Sequence, residues 1–98
     1  MLRIVVILKA LSPSDLKEVC EAGETAARQF VLSKLDKKLL RSLDIQVTSE
    51  RKGGTIFKVD VFIDVEPVVE IDVDKLADMA ADAALSAIDE RMRDKKLG

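Results

Sequence analysis

The spacing of the apolar residues changes period twice along the chain, and no other feature limits the fold as much. Between residues 16 and 35 they recur every three or four positions, as on one face of an amphipathic helix. Between residues 43 and 65 they alternate with polar residues, as in strands buried on one side. After residue 73 the helical spacing returns. This order of elements predicts an α+β fold.

The first helix has a clear start signal. Ser12 can accept a hydrogen bond from a free backbone N–H, and Pro13 suits the first helical position. The apolar stripe that follows predicts a helix as far as about Leu35. A short turn should follow over residues 36–42. The residues that it should bury are Leu39 or Leu40.

A β-hairpin is predicted after this turn. Leu43, Ile45 and Val47 lie at every second position, and Gly53 and Gly54 can supply the positive φ angles of a tight turn. The residues of the return strand expected to face the core are Thr55, Phe57, Val59, Val61, Ile63 and Val65. Those expected to face away are Ile56, Lys58, Asp60, Phe62, Asp64 and Glu66.

Two further segments have strand-like sequence. Pro67 interrupts the alternation of the return strand, and Val69, Ile71 and Val73 then resume it, which is consistent with a short extra strand. Residues 4–8 form a β-branched run of strand length. We expect them to join the sheet, the alternative being that residues 1–11 are a loosely attached extension. The predicted order is therefore β-α-β-β-α.

The last helix should begin at Asp72 or Asp74 and end near Arg93. Its apolar side consists largely of alanine: Leu76, Ala77, Met79, Ala80, Ala83, Ala84, Ala87, Ile88 and Met92. The first helix also has small residues, at positions 23, 26 and 27. Because small side chains let two backbones approach closely, we expect these patches to meet. Both helices should then cover one face of an antiparallel sheet.

Length and composition fit one domain over residues 1–98. Cys20 is the only cysteine, so no intrachain disulfide can form, which is typical of a reducing cytoplasm. The apolar start lacks the pattern of a signal peptide and is too short to span a membrane. The many charged residues, with few Cys and Gln and no Asn, also resemble the composition of a thermophilic protein.

The sequence offers no recognisable catalytic motif. The chain has no histidine, which excludes Ser-His-Asp chemistry and leaves Cys20 without a histidine base. Cys20 lies on the apolar stripe of the first helix, where a buried structural role is expected. We therefore predict a protein that is not an enzyme and needs no cofactor.

Acidic residues form two rows that could in principle bind a hard cation. Asp74, Asp78 and Asp82 stand four apart on one helix face, and Asp60, Asp64 and Glu66 form a second row on the outer face of the return strand. The sequence lacks the glycine-bearing loop of a dedicated calcium site. A solvated or partner-facing acidic surface is the preferred interpretation. A metal-dependent hydrolase built on the first row is the weakest alternative.

Basic residues suggest a second kind of partner. They are Lys34, Lys37, Lys38 and Arg41 near the end of the first helix, with Arg51 and Lys52 at the hairpin turn. RNA-binding surfaces usually add aromatic stacking platforms, and two of the three phenylalanines should be in the core. An accessory RNA-binding protein that contacts phosphates is therefore the alternative function.

The leading hypothesis comes from the outer side of the return strand. Ile56 and Phe62 are apolar residues on a face that otherwise carries charge, including Asp60 and Asp64. Residues 59–90 contain ten acidic residues and a single basic one. Because a hairpin alone is a marginal sheet and its edges invite pairing, a partner could cover this surface. We expect a protein-interaction or assembly module, a homodimer, with no membrane contact.

Three segments carry a resemblance to known proteins: residues 21–35 (EAGETAARQFVLSKL), 43–47 (LDIQV) and 73–84 (VDKLADMAADAA). Together they resemble a small archaeal family of uncharacterised proteins, a domain of unknown function. The resemblance covers about residues 14–93, and residues 1–11 depart from it. It implies an archaeal, cytoplasmic protein with no established activity.

Overall fold

In the part of the chain that the structure describes, the alternation and the helical spacing correspond to two helices and three strands. A computed structural model describes residues 2–7, 11–51 and 54–94. The elements are β1 (Leu2–Ile7), α1 (Pro13–Lys34), β2 (Leu40–Arg51), β3 (Thr55–Val65) and α2 (Val73–Asp94). A 3-10 turn, Lys37–Leu39, lies between α1 and β2. The predicted order β-α-β-β-α is confirmed.

The three strands form an antiparallel sheet in the order β1-β3-β2. β3 is therefore central, with β2 paired along its whole length and β1 paired with its first half, from Thr55 to Asp60. The N-terminal run is a strand of the sheet and not a loose extension. Leu8, its last predicted residue, lies outside the described residues.

The helix boundaries follow the predicted start signals. The Ser12 hydroxyl accepts a hydrogen bond from the Asp15 backbone N–H at 3.2 Å, which caps α1. Asp72 does the same for α2, accepting from the Lys75 N–H at 3.0 Å. These bonds satisfy donors that the first turn of a helix leaves free.

The segment after β3 differs from the prediction. Residues 66–72 form a turn and a loop, so the extra strand after Pro67 is wrong. The Val69 N–H bonds to the Glu66 carbonyl at 3.0 Å, which closes a turn over residues 66–69, and residues 69–72 are irregular. Val73 becomes the first residue of α2.

The core lies between the helices and one face of the sheet. As predicted, Thr55, Phe57, Val59 and Val61 of β3 are buried there, while Ile63 and Val65 are half-buried. The small patches of the helices meet: a Cβ added at Gly23 would lie 3.2 Å from Ile88 Cδ1. The sheet therefore has one covered face and one uncovered face.

Three details of the core needed correction. Ala81 is buried, although the predicted apolar side of α2 does not include it. Met79 belongs to that predicted side but is 41% exposed. The strand β2 begins three residues earlier than predicted, and both Leu39 and Leu40 are half-buried. Cys20 is also only half-buried. Each correction depends on how the elements are rotated and packed, which periodicity fixes only approximately.

Candidate protein-interaction surfaces

The face of the sheet that the helices do not cover is called the open face here. It consists of the outward side chains of β2 and β3 together with Ile4 of β1. Its members are Ile4, Ser42, Asp44, Gln46, Thr48, Glu50, Ile56, Lys58, Asp60, Phe62 and Asp64. They share a face because side chains alternate along a strand and directly paired residues point the same way.

Apolar side chains lie at two separate points of the open face. Ile4 is 53% exposed and pairs with Lys58, which places it diagonally beside the half-buried Ile56. Phe62 is 54% exposed and lies four residues beyond Lys58 on β3, roughly 13 Å along the strand. The sequence predicted the outward positions of Ile56 and Phe62. It gave no basis for adding Ile4, because the pairing of β1 was unknown.

Carboxylates surround Phe62 on the open face. Asp44 is its direct partner on β2, and Asp60 and Asp64 are its neighbours on the same side of β3. Asp64 also faces Arg41, with 3.8 Å between the carboxylate and the guanidinium. An exposed aromatic ring with three nearby carboxylates suits a cationic side chain, which can lie on the ring and pair with an acid.

A second charge pair on the open face joins β2 to β3. Lys58 Nζ lies 3.0 Å from Glu50 Oε2. Both side chains are about half exposed, so the pair contributes little to stability. Lys58, the direct strand partner of Ile4, is thereby already paired with an acid. The acids around Phe62 therefore dominate the charge at the other end of the face.

The basic residues predicted for RNA do not form one patch. Arg51 lies at the opposite end of β2 from Arg41, ten residues or roughly 33 Å away. Its guanidinium donates a hydrogen bond of 2.5 Å to the Leu11 carbonyl. Lys34 lies over the ring of Phe30, 5.6 Å from its centroid. Lys52 falls outside the described residues.

Part of the basic set does converge, on what we call the basic groove. This groove has a volume of about 380 Å³ between the end of α1 and the start of β2. Its lining residues are Arg28, Leu32, Lys37, Leu40, Arg41, Ser42 and Leu43. Lys38 is exposed in the adjoining 3-10 turn. Leu32, which sequence reasoning missed, is 42% exposed; its signal was an apolar residue outside the predicted stripe.

A second groove, of about 450 Å³, lies between α1 and the start of α2. It is mostly apolar, and its walls include Phe30, Ile71, Leu76 and Met79. Lys34 and Lys75 stand at its rim together with Glu70 and Asp72. The mixed charges at the rim do not favour one class of ligand.

The acidic row on α2 does not form a metal site. Asp74 and Asp82 are exposed, whereas Asp78 is half-buried. Within residues 2–7, 11–51 and 54–94, no three Cys, Asp or Glu side chains are arranged to hold a metal ion. The hydrolase alternative therefore gains no support from this row.

Cys20 packs against β2. Burial raises the pKa of its thiol above the ordinary 9.0, while a hydrogen bond with Ser49 acts in the opposite direction. The thiol is thus protonated at neutral pH, when it is a poor nucleophile.

Residues 8–91 match the protein family described as "Protein of unknown function (DUF3194)". The chain belongs to this family. The resemblance seen in the three sequence segments is thereby confirmed. An uncharacterised protein of Thermococcus kodakarensis is 32% identical over 95 residues, covering 94% of this chain and 86% of that protein. Another, from Pyrococcus furiosus, is 28% identical over 86 residues, covering 88% and 78%.

Two solved structures share the fold of this chain. One, a crystal structure from Thermococcus onnurineus, covers 96% of this chain and 92% of its own, with a TM-score of 0.80 and 24% identity. The other is the solution structure of a hypothetical protein from Methanothermobacter thermautotrophicus, covering 91% and 97%, with a TM-score of 0.77 and 20% identity. The α+β class and the two-helix arrangement are thus confirmed. Neither helix of the described chain is long and apolar enough to cross a membrane.

Proposed function

We propose that this DUF3194 protein is a non-enzymatic protein-interaction module that works as a homodimer and binds a protein partner on its open face. The observation that carries the proposal is Phe62, 54% exposed on the uncovered side of the sheet beside three aspartates. An aromatic side chain in that position exposes apolar area that a partner would remove from water.

The chemistry of the open face defines the partner. A protein that presents an arginine or lysine next to an apolar side chain would satisfy both Phe62 and the carboxylates of Asp44 and Asp60. The guanidinium of arginine suits this position best, since it stacks on aromatic rings and pairs with carboxylates. Each exposed ion pair contributes little by itself, so the apolar contact must supply much of the affinity.

The non-enzymatic part of the proposal is supported by the chemistry of the side chains. No histidine is present, and the raised pKa of the Cys20 thiol suits a packing role. The residues next to Phe62 on the open face are carboxylates, and the hydroxyls of Ser42 and Thr48 on the same face have no histidine to activate them. Such a set recognises a partner more readily than it carries out a reaction.

The test compares proteins captured from an extract of the source organism by three immobilised chains: wild type, Phe62→Ser and Met79→Ser. Met79 is a matched control because it is also exposed, at 41%, but lies on α2. We expect a partner that wild type and Met79→Ser retain and Phe62→Ser loses. That partner, once purified, should bind wild type directly, with an affinity that falls as salt rises. Identical captured sets for the three chains would overturn the proposal.

A further inference from the structure

We propose that two copies of the chain associate by placing the loop at residues 66–70 of each copy in the basic groove of the other. We call this segment, Glu-Pro-Val-Val-Glu, the acidic loop. The inference rests on the homodimer of the proposed function and supplies its contact surface. The groove shares Ser42 with the open face, and Phe62 and Ile4, which do not line the groove, stay free for a different partner.

The acidic loop presents one apolar side chain between two acids. Val68 is 81% exposed, and Glu66 and Glu70 are exposed on either side of it. The hydrogen bond from the Val69 N–H to the Glu66 carbonyl holds the turn closed. A second bond, from the Glu66 N–H to the Leu39 carbonyl at 2.9 Å, anchors the loop to the 3-10 turn. The loop is therefore ordered before binding, which lowers the entropy lost on association.

The basic groove has the complementary composition. Leucines at positions 32, 40 and 43 provide apolar walls, and the cations of Arg28, Lys37 and Arg41 stand around them. Arg28 already lies 3.1 Å from Glu24, and Arg41 lies 3.8 Å from Asp64, so neither cation is fixed by a buried partner. An apolar side chain between two carboxylates therefore matches the apolar walls and the positive charge of such a groove.

The position of the two surfaces explains why the occupant is a second copy. The high exposure of Val68 shows that the acidic loop does not fill the groove of its own chain. Both surfaces lie at the same end of the molecule, since Glu66 is bonded to Leu39 and the next residue, Leu40, lines the groove. A two-fold axis at this end places both loops in both grooves at once, which gives a closed dimer.

Reversing the charges on each side separately gives a sharp test. The groove variant carries Lys37→Glu and Arg41→Glu; the loop variant carries Glu66→Lys and Glu70→Lys. In either variant alone, both contacts of a dimer bring like charges together. We expect sedimentation equilibrium to show dimerisation weakened roughly a hundredfold in each, because several exposed ion pairs become repulsive.

The mixture of the two variants distinguishes this contact from any other. In a mixed dimer the acidic groove meets the basic loop, and the unchanged basic groove meets the unchanged acidic loop. Both contacts are attractive, so an equimolar mixture should dimerise about as well as wild type. The control for the loop variant is Glu21→Lys with Glu90→Lys, which makes the same charge change as that variant on exposed helix positions away from both surfaces. It should leave the dimer intact, and thermal melting should show that all variants are folded.

Three results would overturn the inference. The wild-type chain could remain monomeric at every concentration tested, the groove variant could dimerise normally, or the folded mixture could stay monomeric. Filter binding with single-stranded RNA tests the competing occupant: loss of RNA binding by the groove variant, with unchanged sedimentation, would assign the groove to phosphates. Phe62→Ser should dimerise like wild type. Failure of the open-face proposal can thus be told apart from failure of this one.

Discussion

A Cβ atom on Gly23 of α1 would lie 3.2 Å from both Cγ1 and Cδ1 of Ile88 on α2, and 3.6 Å from the Ala84 carbonyl oxygen. Ile88 is fully buried. The two helices therefore approach as closely as a residue without a side chain allows. This contact anchors the helical layer that covers one face of the sheet.

We expect Gly23→Val to lower the free energy of unfolding by about 1–3 kcal/mol, because the extra carbons must displace Ile88 and approach backbone atoms. Urea denaturation followed by circular dichroism measures the change. Ala22→Val on the same helix is the control. It introduces the same β-branched side chain, but at a position that lines an open cleft. Equal stability of the two variants would mean that Ile88 moves aside without cost.

Phe57 and Phe62 lie on the same strand but on opposite faces, one fully buried and the other 54% exposed. We expect Phe57→Ala to cost about 3–5 kcal/mol, a large part of the stability of a domain this size. Phe62→Ala should cost well under half as much, because its ring is already half in water. Thermal melting of both variants checks the difference, and a similar loss for both would contradict the assignment of the faces.

Ser12 caps α1 through its hydroxyl. Replacing it with alanine leaves the Asp15 N–H without this acceptor, and we expect a loss of about 1 kcal/mol. Ser12→Asp, which keeps an acceptor oxygen, should retain the stability of wild type. Denaturation curves for the pair provide the measurement; if alanine and aspartate behave alike, the cap is energetically unimportant.

The pKa of the Cys20 thiol predicts a pH dependence of stability. Burial raises this pKa in the folded chain above the ordinary 9.0, so above that pH the unfolded chain loses its proton first. Ionisation then favours the unfolded state, and stability should fall as pH rises above about 9. The contribution of the thiol is fully present below that pH.

Denaturant midpoints of wild type and Cys20→Ala, measured between pH 7 and pH 10, test this expectation. The wild-type midpoint should fall more steeply than that of the variant above pH 9, because the thiol is the ionisable group in which the two chains differ. Iodoacetamide at pH 8 should also modify the folded chain more slowly than the denatured chain. Parallel pH profiles would indicate an unperturbed thiol.

The outward position of Phe62 was predictable because side chains alternate strictly along a strand. The basic groove was not predictable as a unit. Lys34 lies six residues after Arg28, and at about 100° per residue this turns it away from the groove. Arg51 is separated from Arg41 by the length of β2. The described members of the set named from sequence therefore lie in three places, while Leu32 joins the groove through packing alone.

The loop after β3 shows a similar limit. Pro67 marked the end of the strand, yet the alternation of Val69, Ile71 and Val73 also matched a strand. The hydrogen bond between Val69 and Glu66 and the cap at Asp72 decided in favour of a turn and a helix. When a turn signal and a strand-like alternation overlap within a few residues, the local sequence does not decide which structure forms.

By itself the sequence determined the two helices, the hairpin, the start of each helix and the side of β3 that enters the core. These follow from local spacing and capping, which act within a few residues. Tertiary structure decided the pairing of β1 with β3, the rotation of α2 that buries Ala81, and the convergence of Arg28, Lys37 and Arg41 around Leu32. Those features depend on contacts between residues far apart in the chain, because only packing sets the relative position of one element against another.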